Sequence, residues 1–152
     1  MRTSTAILST GAALVGVGIA RLLQEARHQE QRNEIVLAGN QLAWLRHVST
    51  HRETAAMWAP ADMEPPSYQE AMSGNWLLCM VSLRKRLGAA DDRQLLHYAR
   101  YLMRSKPCRM YWEKFRVVRE DETAVSSDAT GRAVNKALAL AYEEAAREPA
   151  GR

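Results

Sequence analysis

Residues 3–20 carry no charge and read TSTAILSTGAALVGVGIA, between Arg2 and Arg21. As a helix rising 1.5 Å per residue, these 18 positions span about 27 Å, near the lower limit for crossing a hydrocarbon core. The pattern therefore predicts an N-terminal membrane anchor over residues 1–23. Within it Ala12, Gly16 and Ala20 recur every four positions, a ridge of small residues that lets two helix backbones approach closely in lipid. The competing reading is a cleaved signal peptide, since Gly18-Ile19-Ala20 offers small residues where a signal peptidase reads. Two features favour retention: the n-region is only Met1-Arg2, and helix-forming residues continue unbroken through Arg27. Arg21, Arg27 and Arg32 outweigh Arg2 across the segment, which predicts a single-pass protein with a cytoplasmic body.

Beyond residue 23 the apolar positions follow the helical period, and no alternating run bounded by hairpin turns occurs. The expected fold is all-α: an anchoring helix, then a bundle of about five helices over residues 24–147, then a disordered tail at 148–152. A first soluble helix should reach about Ala56, with one stripe of Ile35, Ala38, Leu42, Leu45 and Ala56 and another of Leu37, Trp44 and Val48. Pro60, Pro65 and Pro66 then mark a loop. A second helix, about 68–87, carries Met72, Trp76, Met80, Leu83 and Leu87 and should stop at Gly88 in a left-handed conformation. A third starts at Asp91 or Asp92 and turns Leu95, Ala99, Leu102 and Met103 inward; it should form an antiparallel hairpin with the second. Ser105 should cap a fourth, with Met110, Tyr111, Phe115 and Val118 on its apolar side. Residues 119–128 read as a polar loop, and a last helix from about Ala129 to Arg147 presents Val134, Leu138, Ala141 and Tyr142.

The sequence from Tyr68 through Asn75-Trp76, Leu83, Gly88, Leu95, Ser105-Lys106-Pro107, Arg109-Met110-Tyr111-Trp112-Glu113 and Arg116 to Ala141-Tyr142-Glu143-Glu144 resembles a family of short actinomycete proteins. That family is a domain of unknown function, with an N-terminal hydrophobic segment and a compact helical body. The resemblance covers about residues 33–146. It implies the fold and the anchor and supplies no activity. Met63-Glu64-Pro65-Pro66 departs from the family pattern.

Charge changes the picture next. The chain has a net charge of +4, yet residues 84–119 hold eleven Lys and Arg against three acids. Arg93, His97, Arg100 and Arg104 recur at helical spacing, and Arg84-Lys85-Arg86 ends the neighbouring helix. These six cations, Arg84, Lys85, Arg86, Arg93, Arg100 and Arg104, are candidate contacts for an anionic surface, the nearest being lipid headgroups. Local pairs such as Glu113 with Arg109 and Arg116 are the ordinary alternative. Nucleic acid is disfavoured, because no recognition helix, ribbon or aromatic RNA motif accompanies the row.

Candidate chemistry is sparse. His47 and His51 share a helix face, but Val48 stands where a zincin has its Glu and no third ligand follows, so no metal site is assigned. Asp91-Asp92 read as caps. Cys79 lies among Trp76, Leu77, Leu78 and Met80, where burial suppresses a thiolate; Cys108, near a helix start beside Lys106 and Arg109, is better placed but lacks a base. A disulfide between them would require export. No cofactor or catalytic residue is assigned. A small-molecule pocket, if present, should lie near Trp76, Tyr111 and Trp112.

The expected function is therefore a membrane-anchored, non-catalytic scaffold or regulator that binds a protein partner, a second copy or the inner membrane surface. An accessory subunit or ligand-binding protein of an enzyme system is the alternative, and a basic nucleic-acid module a third.

Overall fold

A computed structural model describes residues 3–147, with side chains from Arg21 onward. Among these the chain is entirely helical: α1 (Thr3–Thr50), α2 (Arg52–Trp58), α3 (Pro65–Arg86), α4 (Asp92–Leu102), α5 (Lys106–Val125) and α6 (Ala129–Arg147). Two compact units divide it, Met1–Leu37 and Ala38–Arg152. In the first, Leu22, Leu23, Ile35, Val36 and Leu37 are exposed. Among the described residues no helix is long and apolar enough to cross a membrane. The side chains of Ala12, Gly16 and Ala20 lie outside the described residues, as does the tail at 148–152.

In the second unit α3 is the central element, packed against α2, α4, α5 and α6, while α4 and α5 also pack on α6. Its buried positions are Ala71, Met72, Gly74, Asn75, Leu78 and Val81. The stripe expected through Trp76, Met80, Leu83 and Leu87 is instead half-buried or, at Met80, exposed. A helix enclosed by neighbours buries small residues as well as large ones, and Gly74 shows why: a Cβ there would stand 2.3 Å from the Pro107 carbonyl oxygen. This glycine lets α3 and α5 approach backbone to backbone.

Local signals account for several boundaries. Asp91 Oδ1 accepts from Gln94 N at 2.7 Å and Gln94 Oε1 accepts from Asp91 N at 2.9 Å, a complete capping box. Gly88 (φ 71°) closes α3; Ala89 N donates to Arg84 O and Gly88 N to Lys85 O, the Schellman arrangement. On α4 all four expected residues are buried, as are Val134, Leu138 and Ala141 on α6.

Four expectations are corrected. The helix expected to run to Ala56 ends at Thr50, where Ser49 and Thr50 hydroxyls donate to Arg46 O at 2.9 and 2.8 Å and compete with the helical pattern. The break shifts the phase, so Ala55 is buried and Ala56 exposed. Pro65 and Pro66 belong to the first turn of α3, where a missing N–H costs no bond. Ser105 occupies the N-cap position of α5 without a side-chain cap, its hydroxyl donating back to Leu102 O. Finally, α5 continues through Val125 where the sequence predicts a loop, and Trp112 is fully buried while Val118 is exposed.

Candidate functional site

The basic residues of 84–119 are largely engaged within the body. Arg84 stacks over the Tyr98 ring at 5.2 Å. Lys85 pairs with Asp92 at 2.6 Å, Arg100 with Glu144 at 2.7 Å and Lys106 with Glu70 at 2.9 Å, while Arg86 pairs with Asp128 and Lys114 with Asp62. These partners hold the Asp62, Asp92 and Glu144 carboxyls below the usual range through the facing Lys114, Lys85 and Arg100. Arg109 donates to the carbonyls of Met103 and Arg104 at the end of α4. Glu113, expected to pair with Arg109 and Arg116, accepts from Tyr142 Oη at 2.8 Å. Of the six candidate cations, Lys85, Arg86 and Arg100 are ion-paired and Arg84 stacks on Tyr98, whereas Arg93 and Arg104 show neither kind of contact among the described residues.

Interior polarity concentrates on Arg119. Its Nε donates to Asn135 Oδ1 at 3.2 Å and its Nη1 to Asn75 Oδ1 at 3.3 Å; Asn135 Nδ2 donates in return to Arg119 O and Thr123 Oγ1. The guanidinium also faces the Tyr111 ring at 5.9 Å. Both asparagines are buried, so this network joins α3, α5 and α6 while satisfying groups that would be costly alone. Trp76, Tyr111 and Trp112, the pocket candidates, are core residues: Trp112 and Tyr111 are buried and Trp76 is half-buried against the core. Trp112 Nε1 and Ser82 Oγ lack hydrogen-bond partners among the described residues. A shallow cleft of about 240 Å³ opens elsewhere, between the end of α5 and α6, over Thr123, Ala124, Asn135 and Ala139 with Arg132 and Lys136 at its rim.

Both cysteines are free thiols. Burial pushes each of them up, and Cys108, set 3.8 Å from Gly74 O, is fully enclosed. At Cys108 burial outweighs Ser105 and Arg109, which act to lower the thiol. No group of three or more His, Cys, Asp and Glu suited to a metal ion occurs among the described residues.

An aromatic cluster that faces solvent stands at the α1–α2 junction. Trp44 and Trp58 meet edge to face with centroids 5.6 Å apart, although they are 45% and 59% exposed, and Met57, the chain neighbour of Trp58, is 81% exposed. His47 and His51 stack at 3.9 Å, and His47 lies 6.1 Å from Trp44. The sequence pattern places Trp44 on an apolar stripe, and the tight turn after Thr50 is what brings Trp58 to it. Met57 is not singled out by that pattern; its adjacency to Trp58, directly before Ala59-Pro60, is the available signal.

Fold and surface together define a small all-α body with a filled core and a solvent-facing aromatic platform. The chain belongs to a family of unknown function, DUF6082, which matches residues 2–152. No curated protein and no solved structure matches it.

Proposed function

We propose that this protein is a membrane-anchored, non-catalytic module whose helical body recruits a protein partner on the cytoplasmic side of a membrane. The observation that carries this reading is the exposed Trp44–Trp58 pair, with exposed Met57 adjacent to Trp58 in the chain. Tryptophan and methionine held at a surface supply large, adaptable apolar contact area, the composition enriched at the centres of protein interfaces. A scattered exposed apolar residue would mean little; two tryptophans fixed against each other form a preorganised patch.

The anchor rests on sequence. Residues 3–20 are uncharged, the flanking arginines favour a cytoplasmic body, and α1, which contains this stretch, also carries Trp44. Internal pairing of Lys85, Arg86 and Arg100 reduces the charge available for headgroups, which favours a protein partner over the inner membrane surface. Self-association through Ala12, Gly16 and Ala20 is compatible with this reading.

Carbonate-washed membranes of expressing cells test the anchor and its orientation. Full-length protein should stay in the membrane pellet and be cut by protease only in inverted vesicles. Recovery in the supernatant, or a mature chain starting at Arg21, overturns the anchor.

A further inference from the structure

The outer side of α5 carries three valines that the fold leaves uncovered. Val117, Val118 and Val125 are 58%, 62% and 92% exposed, although a β-branched residue lowers helix propensity and regains nothing without packing. The same side holds Lys114 and Asp121, both exposed, and half-buried Met110. At 3.6 residues per turn these six positions project within about 50° of one line along the helix, while Glu113, Arg116, Glu120 and Glu122 project about 90° or more away from it. Asp121 shows no ion pair among the described residues, and Lys114 reaches Asp62 in the connection to α3.

The stripe is complementary to its own reverse. About a point midway between Val117 and Val118, valine lies opposite valine, Lys114 opposite Asp121 and Met110 opposite Val125. A two-fold axis between antiparallel helices produces that correspondence, since residue i of one copy meets residue j of the other and j meets i. We propose that α5 pairs with α5 of a second copy, antiparallel, about a two-fold axis at Val117–Val118. This goes beyond the partner-binding reading, uses neither tryptophan and does not rest on it.

Charge selects this arrangement over the alternative. In a parallel, in-register pair Lys114 faces Lys114 and Asp121 faces Asp121, like charge on like; in the antiparallel pair both contacts are of opposite sign. Two such contacts, one on each side of the axis, hold the register while the valines close the centre. The stripe from Met110 to Val125 runs about 22 Å, roughly four turns. Lys114 keeps Asp62, because its ammonium has three N–H donors to divide between that carboxylate and Asp121 of the second copy.

Sedimentation equilibrium of the full-length protein in detergent micelles tests the pairing. Wild type should dimerise. Asp121→Lys, which leaves Lys114 and Asp62 in place, should weaken the dimer at least about tenfold by setting lysine against lysine at two symmetric points. Lys114→Glu should do the same through its carboxylates, and an equimolar mixture of the two variants should recover the dimer, because every 114–121 contact is again of opposite sign. Val117→Ala/Val118→Ala should weaken the dimer too, while the urea stability of dilute, monomeric protein stays the same or rises through helix propensity. On oxidation Lys114→Cys/Asp121→Cys should form an interchain disulfide that neither single variant forms, since the two positions lie about 10 Å apart on one helix, too far to bridge within a chain. A wild-type monomer at all concentrations, a mixture that fails to recover the dimer, or cross-links in the single variants overturn the pairing. So does a dimer indifferent to Asp121→Lys, which would place association in the anchor ridge of Ala12, Gly16 and Ala20.

Discussion

Trp44 and Trp58, fourteen positions apart, meet edge to face at 5.6 Å while both remain open to solvent. The pair is held by the turn at His51, so its geometry belongs to the backbone as much as to the rings. Trp58→Ala removes an edge-to-face contact worth about 0.5–1.5 kcal/mol and leaves the buried core untouched. Chemical denaturation should show a loss of about 1 kcal/mol, whereas partner affinity should fall about thirtyfold or more if Trp58 is an interface anchor. Equal, small losses in both measurements would make the pair structural.

Gly74 and Gly39 predict opposite responses to alanine. Gly74→Ala places a Cβ 2.3 Å from Pro107 O and 2.8 Å from Cys108 N, both backbone atoms that cannot swing away. The substitution should cost at least about 3 kcal/mol or abolish folding. At Gly39, inside α1, a Cβ would meet nothing within 4 Å, so alanine should stabilise by about 0.5–1 kcal/mol through helix propensity. Urea midpoints of the two variants check both signs.

Arg119 organises the interior polar network, and its loss should be felt on both sides. In Arg119→Met the carbonyl oxygens of Asn75 and Asn135 lose their guanidinium donor in a buried setting, at a cost of about 2–3 kcal/mol. Asn75→Leu in the same background should recover part of it, because the acceptor left with only the weak Cys79 thiol donor, at 3.5 Å, is gone. A double-mutant cycle measures the coupling.

Asp128 supplies the clearest pH dependence. Burial pushes its carboxyl up, but the Arg86 guanidinium and the Gly131 amide, donating at 2.8 Å, outweigh burial and hold it below the usual carboxylate range. A carboxyl lowered in the folded state stabilises above its unfolded value, and that stabilisation is lost as pH falls through the folded value. Asp128→Asn keeps the cap on α6 but removes the charge. Its unfolding midpoint should lie below wild type near neutral pH, and the gap should close toward about pH 3. A gap independent of pH would contradict this.

The capped elements are legible in sequence because their signals are local: Asp91 with Gln94, Gly88, and the apolar period of α4 and α6. Pattern fails where tertiary partners decide. Residues 119–125 look solvated, yet Arg119 and Thr123 are fastened to Asn135 on α6, which holds α5 helical past its apolar stripe. Likewise α1 carries an apolar pattern across Thr50, and only the back-bonding hydroxyls of Ser49 and Thr50 mark the break. The carboxylate partners of the basic residues lie up to 44 residues away, beyond any local pattern. No residue type near Trp76, Tyr111 and Trp112 distinguishes a pocket from a packed core, and those rings fill the core.

Site-specific photo-cross-linking in intact cells is the most direct test of a membrane-held body that recruits a partner through its exposed tryptophans. A photoreactive residue is placed at Met57 and, separately, at Arg93 and Arg104 of the full-length chain. One discrete adduct is predicted from position 57 in the washed membrane fraction, lost in Trp58→Ala, with no matching adduct from positions 93 or 104. Adducts from 93 or 104 with none from 57, or a position-57 adduct confined to the soluble fraction, would contradict that function.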